Sequence, residues 1–212
     1  MGDRLLTEDH RQTVGLVLMA IIGMLVFVSL LGSFTTTLEA FQIELGLTIF
    51  DHGYTQLELP PLGRVRARTH MPPLMLTVRL DNINLQQVQE VIDHTDDEAY
   101  IAALRYTAYR KVEIFLARLL VLAFIGGFAG PFFFGERNRK RLLAGALIGV
   151  LVLGSMLALS YATFEPMAFM NPEFEGILKA APWMFGLVEE ALFKVQTLGE
   201  QLEVVAVSIN TL

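Results

Sequence analysis

The chain has 212 residues, of which 53% are hydrophobic, and its mean hydropathy of +0.50 is high for a soluble domain. The formal net charge of −6 gives no indication of nucleic-acid binding. The absence of cysteine excludes disulfides, thiolate metal sites and a cysteine nucleophile.

Three stretches are apolar over a length that crosses a bilayer, for which about 20 helical residues are needed. They cover residues 13–38, 112–134 and 142–164, and the first contains no charge. Its apolar part is too long for a removable signal peptide. The sequence therefore predicts an α-helical integral membrane protein with three transmembrane helices. A small α+β extracytoplasmic domain should lie between the first two spans, and a helical tail should follow the third.

A short basic loop, residues 135–141, joins the second and third stretches. It contains Arg137, Arg139, Lys140 and Arg141 but only one acidic residue. Basic residues in short loops stay cytoplasmic. This loop and the N-terminal residues 1–12 are therefore predicted to face the cytoplasm, and residues 39–111 and 165–212 to lie outside a bacterial inner membrane.

The predicted outer domain, residues 39–111, begins with apolar residues at every second position, which is the period of half-buried strands. The proline pairs 60–61 and 72–73 interrupt this alternation and indicate turns. We expect three or four short strands in an antiparallel meander. A short helix capped by Asn84 should follow, and then a helix that starts near Glu98 and continues into the second span.

The tail, residues 165–212, is predicted to be amphipathic, and its first part carries prolines and aromatic residues suited to the outer membrane interface. Further on, apolar residues are spaced alternately three and four apart, as in the seam of a heptad repeat. The seam consists of Val188, Ala191, Val195, Leu198, Leu202, Val205, Ile209 and Leu212. It predicts a coiled coil with copies of this chain or with another helix. The alternative is an amphipathic helix packed on the outer domain.

Two features within the predicted spans carry information about helix packing. Arg118 lies about two turns into the second span, and we expect it to be a headgroup anchor or part of an inter-helix ion pair rather than a transport site. Gly126 and Gly130 form a GxxxG motif, and so do Gly145 and Gly149. We expect both motifs to pack within the hairpin of the second and third helices, with assembly into oligomers as the alternative.

The histidines are His10, His52, His70 and His94, and two of them neighbour aspartates. None falls at a recognised metal-ligand spacing, and the sequence has no nucleophile elbow, P-loop or dinucleotide fingerprint. All four lie outside the spans, whereas a pigment or quinone would need a coordinating histidine within one. The sequence therefore predicts no catalytic, metal or cofactor site.

The segment LELPPLGRVRARTHMPPLMLTVRLDNINL, residues 57–85, resembles part of a known family. The similar stretch lies in the N-terminal membrane region of bacterial membrane-anchored calcineurin-like metallophosphoesterases and has the form PPLG…THxxPLxLxVxLxxxxL. The matching positions are Pro60, Pro61, Leu62, Gly63, Thr69, His70, Pro73, Leu74, Leu76, Val78, Leu80 and Leu85. The resemblance implies a first span, an outer β-rich segment, a span hairpin and a helix that leads to an enzyme domain. This chain lacks the D-x-H, GD-x-x-D and GN-H motifs of the active site. The resemblance therefore implies the membrane module without the activity.

The predicted function is that of a non-enzymatic membrane anchor or assembly protein. It would hold partners at the outer membrane face through its outer domain and heptad tail, in contact with the bilayer and with other subunits or copies of itself. Two alternatives remain open. One is an accessory subunit of a large respiratory or photosynthetic complex, and the other is the membrane anchor of a metallophosphoesterase whose catalytic domain is not in this chain.

Overall fold

A computed structural model describes residues 2–38, 41–83 and 98–180. This part of the chain forms three long helices and one six-stranded sheet. The helices are α1 (Gly2–Leu31), α2 (Glu98–Phe133) and α3 (Arg139–Ala162). The strands are β1 (Phe34–Leu38), β2 (Phe41–Ile49), β3 (Tyr54–Leu59), β4 (Gly63–Arg68), β5 (Leu74–Ile83) and β6 (Glu173–Gly176). Short 3-10 helices at Pro166–Met170 and Ile177–Ala180 flank β6.

The three helices are long and apolar enough to cross a membrane, with α1 counted from Gln12. Large apolar side chains cover their outward surfaces, among them Leu18, Val121 and Leu151. A helix satisfies its own backbone hydrogen bonds, so such surfaces are suited to lipid. The number and composition of these helices agree with the three predicted spans. The predicted continuous helix from Glu98 into the second span is also confirmed, since α2 has no break between Glu98 and Phe133.

The prediction that the first span extends to residue 38 is wrong for residues 32–38. Helix α1 ends there, and β1 starts at Phe34 and pairs with β2 in an antiparallel hairpin. Gly32 is a poor helix former, and the following run Thr35-Thr36-Thr37 is β-branched, which favours a strand. Hydrophobicity alone does not distinguish these residues from the end of a span.

The predicted antiparallel meander of three or four strands is also wrong. The sheet has six strands in the order β1-β2-β5-β3-β4-β6, and β3 and β5 are parallel neighbours. After the β3–β4 hairpin the chain crosses back, so that β5 is inserted between β2 and β3. Residue alternation shows which side chains share a face, but it does not determine strand order.

The first part of the tail contains a strand that the sequence did not predict. Residues 173–176 form β6, which pairs antiparallel with β4 at one edge of the sheet. The place of this segment at the outer membrane interface stays a prediction. The sheet therefore takes strands from both sides of the α2–α3 hairpin, and the outer domain is not confined to residues 39–111. The helix predicted after Asn84 and the heptad seam from Val188 to Leu212 lie outside the described residues.

The apolar face of the sheet lies on the ends of the helices. One continuous core joins strand residues such as Leu45, Leu47 and Leu74 to the helix residues Phe115 and Leu153. The basic loop 135–141 lies at the other end of the bundle, because it contains the connection between the end of α2 and the start of α3. The sheet and the basic loop are therefore at opposite ends of the three helices.

Candidate functional site

Thr69-His70-Met71, directly after β4, joins the sheet to the end of α3. The Glu165 amide donates to the Thr69 carbonyl oxygen over 2.7 Å, and the Met71 amide donates to the Thr163 hydroxyl over 3.0 Å. These hydrogen bonds tie the crossover between β4 and β5 to the residues that follow α3. The sheet is therefore fixed in orientation against this helix.

Gly53 packs directly against the same crossover. Its φ is +82°, and a Cβ added there would lie 1.9 Å from the His70 carbonyl oxygen. The Gly53 carbonyl also accepts a hydrogen bond of 3.2 Å from the His70 amide. Only glycine combines this left-handed backbone with so close an approach.

His70 is buried and takes part in a chain of hydrogen bonds. Its Nε2 lies 3.0 Å from the Leu74 carbonyl oxygen, which only accepts, so Nε2 carries the proton. In the neutral ring Nδ1 then accepts from the Thr69 hydroxyl at 2.8 Å, and Thr69 in turn accepts from the Thr55 hydroxyl at 2.6 Å. Burial lowers the pKa of His70 below its ordinary value, and the Leu74 carbonyl offsets part of this effect. His70 is therefore a neutral, hydrogen-bonded residue of the sheet–helix junction.

A cavity of about 280 Å³ lies between the apolar face of the sheet, the middle part of α2 and the last turns of α3. Its sheet wall includes Leu45 and Leu76, and its helix wall includes Phe115 and Leu157. Val112 and Tyr161 also line it, and they are 44% and 87% exposed. The cavity therefore opens to the surface between α2 near Val112 and the last turn of α3. We call it the junction cavity.

One polar atom in the wall of the junction cavity has no hydrogen-bond partner. Ser160 is buried near the end of α3, and its Oγ makes no hydrogen bond to the described residues. A helical serine commonly donates back to a carbonyl of the preceding turn, as Ser155 does toward Val152. Ser160 lines the cavity, but its Oγ is an unsatisfied polar atom buried within the wall rather than on the wall's surface.

The Arg118 side chain contacts the C-terminal end of α1. Its guanidinium donates to the Leu31 carbonyl oxygen over 3.3 Å and lies 5.6 Å from the centre of the Phe34 ring. The last carbonyls of a helix have no partner within it, and a cation there interacts favourably with the helix dipole. Within the described residues Arg118 makes no ion pair, so its role is to stabilise the turn from α1 into β1. The expected inter-helix ion pair does not form among the described residues, because a carbonyl of α1 takes the place of an acid. The alternative, a headgroup anchor, stays a prediction.

The two GxxxG motifs pack against different helices. Gly145 and Gly149 face α2, where an added Cβ would lie 2.7 Å from the Gly127 oxygen and 2.5 Å from the Ala123 oxygen, respectively. Their predicted packing within the α2–α3 hairpin is therefore confirmed.

Gly126 and Gly130 face α1 instead of α3, so the prediction is wrong for this pair. A Cβ added to them would lie 2.5 Å from the Gly23 oxygen and 2.0 Å from the Met19 oxygen. Helix α2 is the central helix, with one small-residue face toward each neighbour. A GxxxG motif indicates close approach, but it does not name the partner helix.

The basic loop forms contacts of its own at the opposite end. Arg141 makes an ion pair of 3.0 Å with Glu136 and donates to Gln12 Oε1 over 3.2 Å. The pKa of Glu136 is lowered, first by the Asn138 amide and then by Arg141. Arg137 lies 4.6 Å from the centre of the Phe132 ring. Among the described residues Arg139 and Lys140 have no ion-pair partner, so no neighbouring acid offsets their positive charge. The predicted cytoplasmic location of the basic loop depends on this charge.

The outer face of the sheet, which points away from the helices, is polar. Glu175 of β6 makes ion pairs with both Arg64 and Arg66 of β4. Arg66 also lies over the Tyr54 ring, 5.7 Å from its centre. Arg68, by contrast, is exposed and pairs with no acid among the described residues. The alternation of polar and apolar residues in β4 predicts that these three arginines point to one face, opposite to Val65 and Ala67. The burial pattern agrees, since Ala67 is buried and Arg64 and Arg68 are exposed.

Sequence reasoning missed Gly23, Ser160 and Glu175. Gly23 is not part of a small-xxx-small pair, because Met19 and Phe27 lie four residues away on either side, so the sequence carried no such signal for it. Ser160 and Glu175 gave no signal either, because their roles depend on a cavity and on a strand pair between distant segments. The structure describes no group of three or more His, Asp or Glu residues placed to hold a metal ion within residues 2–38, 41–83 and 98–180.

Comparisons with protein-family models, with curated proteins and with solved structures return no match to this chain. The resemblance to the membrane region of metallophosphoesterases therefore stays a prediction. Arguments about function have to come from the described geometry.

Proposed function

We propose that this protein is a non-enzymatic membrane anchor that holds partner proteins at the outer membrane face. The main support for the proposal is that the sheet packs in a fixed orientation against the helices. The continuous core from Leu45 to Leu153 and the hydrogen bonds at Thr69 and Met71 fix the orientation of the sheet. A flexible tether would not need such a junction, whereas a surface that presents a binding face does.

The outer face of the sheet supplies the proposed binding surface. Most of its described charges are already paired within the sheet, as in Arg79 with Asp81 at 3.0 Å and Arg64 with Glu175. Arg68 is the exposed arginine of β4 without such a pair among the described residues. A partner carboxylate at Arg68 would gain a charge-assisted hydrogen bond without breaking an ion pair of the sheet.

A second candidate, an accessory subunit of a larger membrane complex, is supported by the outward helix surfaces. Leu147 and Leu151 of α3 are 53% and 70% exposed, so this face can contact either lipid or another subunit. The heptad seam would add a further contact in either case. In this reading the partner binds the helices, and the outer face of the sheet is not required.

The test is native purification from membranes, followed by mass spectrometry of the intact assembly, with charge variants at the two ends of the molecule. We expect the chain of 23.6 kDa to travel with a stoichiometric partner. Arg68→Glu should release that partner, whereas Lys140→Glu, at the basic loop, should retain it. Retention in the Arg68 variant together with loss in Leu151→Trp would favour the accessory-subunit reading. A chain that remains monomeric and without a partner in mild detergent would refute both.

A further inference from the structure

We infer that the junction cavity binds a fatty acyl chain of a membrane phospholipid. This inference concerns a different surface from the proposed partner site and does not depend on it. It rests on the size of the cavity, the chemistry of its wall and the place of its mouth.

The size of the junction cavity fits part of one hydrocarbon chain. An engineered protein cavity of roughly 150 Å³ holds benzene, which has six carbons. The junction cavity of about 280 Å³ therefore has room for on the order of ten carbons by that comparison. This is more than half of a common acyl chain and too little for a second chain or a ring system of a large cofactor.

The wall of the cavity is suited to hydrocarbon. Leu76, Val78, Leu116 and Leu157 contribute apolar side chains, and the two ring nitrogens of His70 are both occupied by hydrogen bonds within the sheet. Burial of apolar surface in such a cavity is favourable. A charged or strongly polar ligand would lose its hydration without compensation.

The mouth of the cavity lies where a lipid enters most easily. Tyr161 lies in the last turn of α3, Val112 lies on α2 where the predicted second span begins, and both are exposed. Lys111 lies next to Val112 in α2. Cationic and tyrosine side chains at this level favour the phospholipid headgroup region. A lipid beside α2 and α3 can therefore leave its headgroup at the membrane surface while one chain enters beneath the sheet.

The experiment uses the full chain in nanodiscs of phosphatidylethanolamine and phosphatidylglycerol with a small share of a photoreactive phospholipid. The photoreactive group is a diazirine near the end of one acyl chain, and labelled residues are found by peptide mass spectrometry. We expect labels on Leu76 and Val78 of β5, which form part of the sheet wall of the cavity. A second lipid with the diazirine in its headgroup should label Val112 and Tyr161 and leave β5 unlabelled.

Two variants that fill the cavity provide the comparison, namely Ser160→Phe and Leu157→Trp. In each we expect labelling of β5 to drop about tenfold, the change that losing roughly two buried methylenes produces. Leu151→Phe, on an exposed surface of the same helix, is the matched control and should label β5 as the unmodified chain does. Circular dichroism and gel filtration identify a variant that fails to fold, in which case the other filling variant decides.

Three outcomes would overturn the inference. The first is the absence of label on β5 in the unmodified chain. The second is equal labelling of β5 in the folded filling variants. The third is a β5 label that comes equally from the headgroup probe. The Arg68→Glu variant tests partner binding and should not change the labelling of β5. A failure of the partner-binding proposal can therefore be distinguished from a failure of the lipid proposal.

Discussion

Single small residues set the distances between the helices of this protein. Gly23 of α1 and Gly126 and Gly130 of α2 form one contact, and Gly127 of α2 lies against Gly145 and Gly149 of α3. At these positions backbone meets backbone, so there is no flexible side chain that could move aside. The same residue type elsewhere in the helices has open space around it, as at Gly15.

Replacement of Gly23 by alanine should destabilise the bundle. The added Cβ would lie 2.2 Å from the Gly126 carbonyl oxygen, so α1 and α2 must separate. Overpacking of this kind costs about 1–3 kcal/mol. Thermal unfolding in detergent measures the effect, with Gly15→Ala of the same helix as the matched control. Because nothing lies within 4 Å of the corresponding Cβ at Gly15, that variant should be neutral or slightly more stable. Equal losses in both variants would contradict the close contact of α1 and α2.

His70 should make the stability of the protein depend on pH. Burial lowers its pKa in the folded state, so the unfolded chain takes up this proton first as the pH falls through about 6.5. The contribution of neutral His70 is therefore complete above that pH and is lost progressively below it. Unfolding free energies measured from about pH 8 to pH 5 should fall at the acidic end.

The variant His70→Gln tests the assignment of this pH dependence. It should be less stable at all pH values because the contacts with Thr69 and Leu74 change, but its loss of stability toward acidic pH should be smaller. His52→Gln is the matched control, since the His52 side chain is 85% exposed. If the acidic loss were unchanged in His70→Gln, another group would be responsible.

Strand β6 has only four residues, but it completes the sheet. It comes after α3 and pairs with β4, so it closes one edge of a sheet whose other strands precede α2. An open strand edge exposes unpaired backbone groups that promote association. Beyond the strand pairing, Glu175 holds β6 in place through Arg64 and Arg66.

Replacement of Glu175 by alanine should loosen β6. Arg64 and Arg66 would lose their acceptor, and Nε of Arg66 is already buried without a partner among the described residues. Because the side chains involved are partly exposed, we expect a loss of only about 1–2 kcal/mol. Hydrogen exchange at the amides of β4 and β6 should become faster. Glu173→Ala is the control, because Glu173 lies on the same strand and makes no ion pair among the described residues. It should have little effect on exchange. A similar acceleration in this variant would mean that strand propensity, and not the ion pairs, explains the result.

The whole molecule has two chemically different ends. The sheet covers one end of the bundle, and the basic residues Arg139 and Lys140 lie at the other. Helix α2 has 36 residues, so at 1.5 Å per residue it is about 54 Å long, against roughly 30 Å for the apolar part of a bilayer. Its first turns therefore extend beyond the membrane on the side of the sheet if the basic loop lies at the other surface.

Cysteine labelling tests the proposed orientation of the two ends. The chain contains no cysteine, so single substitutions give an unambiguous signal. Lys140→Cys should be protected from a membrane-impermeant maleimide in intact cells, and Thr48→Cys, which is exposed on the sheet, should be labelled. Both should react after permeabilisation. Labelling of Lys140→Cys in intact cells would reverse the assignment.

The sequence predicted those features that depend on local composition and periodicity. The number of long apolar helices, the continuous course of α2 from Glu98, and the outward direction of Arg64 and Arg68 all follow from hydropathy or from the period of two. The position at which α1 ends was harder to predict, because Gly32 and the threonines after it compete with a strong hydrophobic signal. Strand order was not predictable, since alternation of side chains is the same in a meander and in a sheet with an inserted strand.

Some properties of this protein follow from its amino-acid order without a structure. These are the apolar helices, the half-buried strands, the absence of thiol chemistry and the basic loop, because each depends on side-chain chemistry within one segment. Tertiary structure alone decided that Gly126 faces α1, that β6 completes the sheet, and that Ser160 and Leu76 face one cavity. Each of these depends on two segments far apart in the chain that come into contact only when their apolar surfaces are buried together.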